Sequence, residues 1–154
     1  MNVLVTGGNG FVGSHTVEQL VNRGHKVTCL VRKTSDLKWL KDISVDFVYG
    51  DILDPDSIEK SVRSAEAIVH IAGLVRALKK ETYFKANQTG TKNLVDAVLR
   101  SNPKLKKFVY ISSQAAMGPS VNKLPKQISE PETPISDYGA SKLAGEKELT
   151  RTNK

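Results

Sequence analysis

The stretch Val3-Leu-Val-Thr-Gly-Gly-Asn-Gly-Phe-Val-Gly13 joins a short apolar run to glycines that recur every three residues. Glycines in this pattern, after a strand and at the start of a helix, form the phosphate-binding turn of a dinucleotide fold. They permit a tight turn, a close approach to pyrophosphate and close helix packing, while amides of the first helical turn face a phosphate. A purely structural glycine turn is the alternative. The predicted dinucleotide cradle consists of Gly7, Gly10, Phe11, Val12 and Gly13.

Apolar runs of similar length recur along the chain and alternate with segments of helical period. Near-continuous apolar strands are typical of a parallel sheet that helices cover on both faces, with right-handed crossovers. We therefore predict an α/β fold, a Rossmann-like doubly wound parallel sheet of strand order 3-2-1-4-5. The predicted strands are Val3–Val5, Val27–Val31, Val45–Val48, Ala67–Ile71 and Phe108–Ile111, and the predicted crossover helices lie near 11–23, 55–64 and 82–101.

Composition limits the partners that we expect. The chain has 154 residues, 39% of them hydrophobic, and 23 basic against 16 acidic residues give a net charge of +7. The basic clusters lack interleaved aromatic residues, so we expect no nucleic-acid partner. No apolar run approaches the roughly 18 residues of a membrane span, and the first strand leaves no room for a signal peptide. We therefore expect a cytoplasmic protein with a small-molecule partner, and we leave a homodimer open.

The second predicted strand runs into Arg32-Lys33, where the dinucleotide fold usually supplies an acidic residue. A carboxylate there binds the ribose hydroxyls of NAD and repels a 2′-phosphate, whereas a guanidinium binds that phosphate through a fork of donors. We therefore predict NADP as the preferred cofactor, with NAD as the other candidate, held by Arg32 with Lys33 assisting. As alternatives, both cations are merely exposed, or Ser35 or Asp36 contacts a ribose.

Two further strand ends are expected beside the adenosine. After the third strand, Asp51 is predicted to accept from the adenine amino group, and the Ile52 amide to serve a ring nitrogen. A turn or capping role is the alternative for Asp51, and Asp54 is predicted to cap the following helix. After the fourth strand, Ala72 and Gly73 are small enough to let the chain pass beside the cofactor.

Two other reactive residue types are predicted to be structural. Cys29 is the only cysteine and lies within an apolar run, which suits a buried small hydrophobe. His70 has no second histidine or carboxylate at ligand spacing, so we expect a structural histidine. No metal site is predicted.

Six motifs occur in an order that is specific in combination. Tyr138 and Lys142 are four residues apart, which places a phenol and an ammonium on one helix face. The motifs are Thr6–Gly13, Gly50–Asp54, His70–Gly73, Asn87–Leu94, Tyr110–Ser113 and Tyr138–Lys142. With them, the whole chain resembles the extended short-chain dehydrogenases/reductases, also described as the NAD-dependent epimerase/dehydratase family.

This resemblance implies roles for individual residues. Tyr138 corresponds to the general acid/base, and Lys142 to the cation that stabilises its phenolate and binds the nicotinamide ribose. Ser113 corresponds to the residue that orients the substrate oxygen, with Ser112 as the fallback. Asn87 corresponds to a residue that supports the sheet or a proton relay, and a purely structural role is the alternative.

The resemblance also implies an activity, which is hydride transfer between a nicotinamide cofactor and a carbinol or carbonyl carbon. The most similar branch contains dihydroflavonol reductases, 3β-hydroxysteroid dehydrogenases and bacterial sugar-epimerase relatives, so the expected substrate is a nucleotide sugar or a steroid- or flavonoid-like ketone. Gln114-Ala115 replaces the Asp-Glu pair of the family's dehydratases, and Met117 replaces a tyrosine usual in sugar epimerases. A non-catalytic NADP-binding regulatory module is the alternative function.

The family extends beyond this chain at its C-terminal end. Its members continue with further sheet strands and a substrate domain, whereas this sequence ends soon after Lys142. We therefore expect residues 1–154 to be the N-terminal part of an NAD(P)-binding Rossmann domain, truncated before the last strands and without the C-terminal substrate domain. The proline-rich stretch between Gly118 and Ser136 is predicted to be a long loop that covers a substrate.

Overall fold

A five-stranded parallel sheet of order β3-β2-β1-β4-β5 forms the centre of the computed structural model, which describes residues 1–120 and 124–152. The central strand β1 pairs with β2 on one side, where Val3 lies opposite Val27, and with β4 on the other, where Val3 lies opposite Ala67. The strands are β1 (Asn2–Thr6), β2 (Lys26–Val31), β3 (Asp46–Tyr49), β4 (Ala67–His70) and β5 (Lys107–Tyr110). The predicted fold class and strand order are therefore confirmed, with strand bounds shifted by about a residue.

Different helices bury the two faces of the sheet. Alternate side chains of a strand point to opposite faces. Accordingly, Val3 and Val5 pack with Val17 of the first helix, whereas Leu4 packs on the other face with Ile58 and Leu94 of two later helices. The helices are α1 (Phe11–Asn22), α2 (Pro55–Arg63), α3 (Lys80–Phe84), α4 (Gly90–Ser101), α5 (Gln114–Met117) and α6 (Asp137–Leu149), with 3₁₀ turns at Lys38–Leu40 and Thr150–Thr152.

The third crossover is more complex than the single helix predicted near 82–101. A π-helical segment, Lys85–Thr89, separates α3 from α4. Asn87, at its centre, is fully buried, and its side chain hydrogen-bonds both the amide and the carbonyl of Leu74 at 2.7 and 3.0 Å. These bonds hold the loop after β4 against the widened turn, and such π-helical turns are frequent at functional sites.

Two short polar side chains begin the last two helices. The Ser113 hydroxyl accepts from the Ala115 amide at the start of α5, and the Ser136 hydroxyl accepts from the Gly139 amide at the start of α6. Between these helices, the described residues 118–120 and 124–136 form no helix or strand, in agreement with the predicted loop. Residues 121–123 of that loop lie outside the described residues.

The start of α2 agrees with the prediction in position but not in hydrogen bonding. Asp54 occupies the N-cap position of the helix that begins at Pro55, as predicted, but its carboxylate makes no capping hydrogen bond. The Ser57 hydroxyl, within the first turn of the helix, donates to the Asp54 carbonyl at 2.8 Å. Cys29, in contrast, is fully buried as predicted, and burial raises the pKa of its thiol to about 12.

Across the described part of the chain, every helix is too short or too polar to cross a lipid bilayer.

Candidate functional site

The glycine turn between β1 and α1 packs tightly against the end of β4. Gly7 has φ +72°, and a Cβ there would lie 2.5 Å from the Ala72 nitrogen. The Gly10 amide donates to the Gly7 carbonyl at 3.1 Å, so this predicted phosphate donor is already used inside the turn. Phe11 and Val12 begin the helix, and amides of a first helical turn have no carbonyl acceptor within the helix. These two amides suit an anion.

A cleft opens at the carboxyl ends of β1, β2 and β4, where doubly wound sheets bind ligands. Of the predicted cofactor residues, its lining includes Gly7, Arg32, Asp51, Ile52, Ala72 and Gly73. The other predicted cofactor residues, Gly10, Phe11, Val12, Gly13, Lys33 and Lys142, lie outside the lining. The cleft is also lined by Thr6, Asn9, Leu30, Val31, Ser35, Gly50, Leu53, Leu74 and Ala86.

Most of the unpredicted lining residues are sequence neighbours of predicted ones, so the position of the strand ends could have indicated them too. Ala86 is different, because it lies far along the chain from every predicted cofactor residue. Its neighbour Asn87 binds Leu74 in the loop after β4, and no local pattern in the sequence indicates that contact.

The end of β2 presents a cation to the cleft. The Arg32 amide donates to the Ser35 hydroxyl at 3.1 Å, and the Ser35 amide donates to the Arg32 carbonyl at 2.9 Å, which closes a tight turn. The Asp36 carboxylate turns toward Lys38, accepting from its amide at 3.0 Å and lying 3.7 Å from its ammonium. The Asp36 carboxylate, the first along the chain after β2, is therefore bound within its own loop. The Arg32 side chain, in contrast, is exposed and lines the cleft.

Asp51 serves the turn between β3 and α2 while lining the cleft. Its carboxylate accepts from the Leu53 amide at 2.9 Å, and its own amide donates to the Ser57 hydroxyl at 2.9 Å. The alternative turn role of Asp51 is therefore present in the structure. The second carboxylate oxygen is available for a ligand group.

Lys142 is the most deeply buried charged side chain of the predicted site, with 3% of its surface exposed. Its ammonium donates to the Ile111 carbonyl at 2.7 Å and lies 4.1 Å from the centre of the Tyr110 ring. Burial lowers the pKa of Lys142 to about 8, and the Glu146 carboxylate opposes that change. The side chain is therefore still mainly an ammonium at neutral pH.

The ammonium also borders the cofactor cleft. A Cβ on Gly73, which lines the cleft, would lie 3.8 Å from the Lys142 Nζ and 2.9 Å from the Asn87 Oδ1. A side chain at this position would fill the space between the cleft and the lysine. The small residues after β4 thus leave room for a ligand that reaches from the glycine turn to Lys142.

Tyr138 and Ser113 lie on the two helices that meet beside Lys142. Gly139 permits the contact, because a Cβ there would lie 2.8 Å from the Ala115 carbonyl carbon of α5. The Tyr138 ring lies 6.3 Å from the Tyr83 ring, and the Ser113 hydroxyl accepts from the Ala115 amide at 3.2 Å. Tyr138 and Lys142 thus lie one turn apart on α6, and Ser113 lies at the start of α5, which packs against α6. None of the three side chains is among the cleft-lining residues, and the hydrogen bond of Lys142 goes to a backbone carbonyl.

Ser112, the fallback for Ser113, points elsewhere. Its hydroxyl donates a short hydrogen bond to the Glu146 carboxylate on α6. Of the two adjacent serines, Ser113 is thus the one at the start of α5.

A buried polar chain connects this site to the sheet. His70 is fully buried between Thr6, 2.6 Å from its Nδ1, and Thr91, 3.0 Å from its Nε2. The Thr91 hydroxyl donates to the Asn87 carbonyl at 2.6 Å, so it accepts from Nε2, and Nδ1 accepts from Thr6. Burial, aided by the Lys142 charge, lowers the pKa of His70 to about 3. The Asn87 side chain donates onward to Ser141 at 2.9 Å.

Within residues 1–120 and 124–152, no cluster of three or more histidine, cysteine or acidic side chains is arranged to hold a metal ion.

Comparison with known proteins gives consistent matches. A model of the NAD-dependent epimerase/dehydratase family matches residues 3–154. The ceramide reductase of Caulobacter vibrioides is 32% identical over 144 residues, which cover 94% of this chain and 40% of that protein. The rat 3 beta-hydroxysteroid dehydrogenase type 7 (Rattus norvegicus) is 30% identical over 166 residues, covering 97% and 48% respectively.

Among solved structures, the UDP-glucose 4-epimerase of Thermus thermophilus in complex with NAD superimposes with a TM-score of 0.87 at 31% identity. That match covers 98% of this chain and 50% of the epimerase chain. This chain spans about half the length of the curated relatives that it matches.

Proposed function

Since this chain belongs to the NAD-dependent epimerase/dehydratase family, we propose that it forms the cofactor-binding and catalytic part of an NAD(P)-dependent oxidoreductase or epimerase. The reaction is hydride transfer between a nicotinamide cofactor and the carbinol or carbonyl carbon of a small substrate. The observation that carries this proposal is the position of Lys142, which borders the cleft at Gly73 and shares α6 with Tyr138.

The residues of the cleft suit a dinucleotide. Gly7 lines the cleft, the amides of Phe11 and Val12 just beyond the lining suit a pyrophosphate, and the small residues Ala72 and Gly73 leave space toward Lys142. We assign the adenosine end to Asp51 and Ile52, which line the cleft beyond the turn.

In this mechanism the side chains supply positioning and proton transfer. When bound, the cofactor supplies the hydride donor or acceptor. Tyr138 removes the carbinol proton as a phenolate during oxidation and returns it during reduction. The Lys142 ammonium stabilises the phenolate through space and binds the nicotinamide ribose. The Ser113 hydroxyl donates to the substrate oxygen and holds it beside Tyr138.

We further propose that NADP is preferred over NAD. The support is the contrast at the end of β2, where Arg32 is exposed beside the cleft while the Asp36 carboxylate is held by Lys38. A guanidinium binds a 2′-phosphate through paired charge-assisted hydrogen bonds. Lys33 lies outside the lining, so we assign the main contribution to Arg32 alone.

The substrate classes that we propose are nucleotide sugars and steroid- or flavonoid-like ketones, because relatives named as an epimerase, a reductase and a steroid dehydrogenase match to similar degrees. The loop between Gly118 and Ser136 is proposed to cover the substrate. A cytoplasmic location and a homodimer remain predictions.

The test combines cofactor binding with turnover in the full-length protein. NADPH and NADH are titrated separately, and nucleotide sugars and ketones are then screened for conversion. A net reductase consumes the reduced cofactor, whereas an epimerase converts its sugar while the bound cofactor is regenerated. Tight cofactor binding without conversion of either class would contradict the enzymatic proposal and support the regulatory module.

A further inference from the structure

Glu146 lies one helical turn after Lys142 on α6 and faces the same partly buried corner. Its carboxylate accepts the short hydrogen bond from Ser112, at the end of β5. The Lys142 ammonium donates to the carbonyl of Ile111, the residue next to Ser112. Burial lowers the pKa of Lys142 and raises that of Tyr110, and the Glu146 charge acts to raise both. One side chain of α6 thus connects the strand end, the lysine and the aromatic ring on which the lysine rests.

The side chains that face Lys142 come from three elements. Tyr110 of β5 lies under the ammonium, and His70 of β4 is close enough for the lysine charge to lower its pKa. On α6 itself, Tyr138 precedes the lysine by one turn and Glu146 follows it by one turn. Of these four groups, Glu146 is the carboxylate.

The other acidic residues of α6 have partners elsewhere. Asp137 lies 3.9 Å from the Lys80 ammonium of α3, and Glu148 lies 3.3 Å from the Arg151 guanidinium. The Gln88 side chain also donates to Glu148 at 3.3 Å. Among the acidic residues of α6, Glu146 is thus the one bound to Ser112, next to the Ile111 carbonyl that holds Lys142.

We propose that Glu146 is a positioning residue for Lys142, and that its carboxylate, fixed by the Ser112 hydroxyl, supplies the counter-charge that keeps the buried ammonium charged beside the cleft. Burial disfavours the ammonium, whereas a carboxylate one helical turn away favours it. The Ile111 carbonyl and the Tyr110 ring orient the ammonium but carry no formal negative charge. The use of this device in catalysis rests on the proposed function of Lys142.

Glutamine at position 146 separates this role from a purely structural one. A glutamine side-chain oxygen still accepts from Ser112, so Glu146→Gln keeps the connection between β5 and α6 and removes only the charge. If the pair is merely a structural link, the variant behaves like the wild type.

The experiment is a pH titration of lysine side chains by ¹³C NMR in the full-length protein. In Glu146→Gln, the midpoint of the Lys142 signal is expected to fall by about one pH unit. The signal of exposed Lys147 is the internal reference. Glu148→Gln is the matched control, because it removes the same charge from the same helix and is expected to leave the Lys142 midpoint unchanged.

An unchanged Lys142 midpoint in folded Glu146→Gln would overturn the proposal, as would an equal shift in Glu148→Gln. If the glutamine variant does not fold, Glu146→Asp withdraws the carboxylate by one methylene group and is also expected to lower the midpoint. An unchanged midpoint in folded Glu146→Asp would then overturn the proposal.

A second measurement connects the residue to turnover. In Glu146→Gln, the loss of activity at alkaline pH is expected to begin at lower pH by the same shift, with the wild-type profile in Glu148→Gln. The NMR titration needs no substrate, so the two proposals fail separately. A shifted midpoint in a protein without turnover contradicts only the proposed function, and an unshifted midpoint in an active enzyme contradicts only the role of Glu146.

Discussion

Lys142 shows how a cation is maintained almost entirely out of water. A buried ammonium loses hydration, which lowers the pKa of Lys142 to about 8. The Ile111 carbonyl accepts one of its protons, and the Tyr110 ring face lies against it. Because its pKa stays above neutral pH, the lysine can stabilise an anionic oxygen on a neighbouring side chain. The residue therefore suits the role that we propose beside Tyr138.

Cofactor preference is also decided by single residues. Replacing Arg32 with alanine is expected to weaken NADPH binding by about tenfold or more, since hydrogen bonds to charged groups contribute about 1.5–3 kcal/mol. NADH binding should change little, because NADH lacks the 2′-phosphate. Calorimetric titration of both cofactors measures the two dissociation constants.

Lys33→Ala is the matched control for Arg32→Ala. It removes an adjacent exposed cation that does not line the cleft, and it is expected to change NADPH affinity much less. Equal losses in the two variants would point to general attraction of the phosphates and against a specific contact by Arg32.

The turn between β1 and α1 leaves no room for a side chain at Gly7. Gly7→Ala is expected to lower the free energy of unfolding and to abolish dinucleotide binding, because its Cβ would lie 2.5 Å from the Ala72 backbone nitrogen at φ +72°. Urea denaturation and cofactor titration measure the two effects.

Gly24 provides the control for this prediction. It has φ +77°, but a Cβ there would meet nothing within 4 Å. Gly24→Ala is therefore expected to lower the free energy of unfolding by about 1–2 kcal/mol, because alanine disfavours the left-handed backbone conformation, and to leave cofactor binding intact. A Gly7→Ala protein as stable as Gly24→Ala would show that the close approach to Ala72 is wrong.

The strands were predictable from their apolar runs, although burial follows these runs closely in β1, β2 and β4 and much less in the edge strands β3 and β5. The apolar runs indicate all five strands, and parallel pairing brings their carboxyl ends to one edge, so the sequence alone predicts that Arg32, Asp51 and Ala72 share one cleft. The π-helical segment Lys85–Thr89 was not predictable. Its widened turn depends on the Asn87 side chain binding a loop far along the chain, and periodicity carries no signal of such a contact.

The neutral His70 ring connects the central sheet to α4. Its two ring nitrogens bind Thr6 of β1 and Thr91 of α4, and burial lowers the pKa of its ring to about 3. Below its unfolded pKa of about 6.5, the unfolded chain binds a proton that the folded chain does not. Folding stability is therefore lost as the pH falls below about 6.5 and is unaffected by this group above that pH.

The variant His70→Gln is expected to remove this contribution. The stability of the wild type relative to the variant should fall by up to about 1.4 kcal/mol per pH unit between about pH 6.5 and pH 4. Urea denaturation at several pH values measures the difference. His15→Gln removes a histidine with an exposed ring and should not reproduce it. A wild-type-to-variant difference independent of pH would contradict the neutral buried state of His70.

We propose that the cleft, the lysine and the two helix starts together place a phenol that transfers protons beside a bound nicotinamide. The most direct test is turnover by Tyr138→Phe in the full-length protein, compared with Tyr83→Phe, which removes the hydroxyl of the adjacent ring. Tyr138→Phe is expected to lower kcat by about 10²-fold or more with cofactor affinity almost unchanged, whereas Tyr83→Phe stays active. Turnover by Tyr138→Phe at the wild-type rate would contradict the role of Tyr138 as the general acid/base.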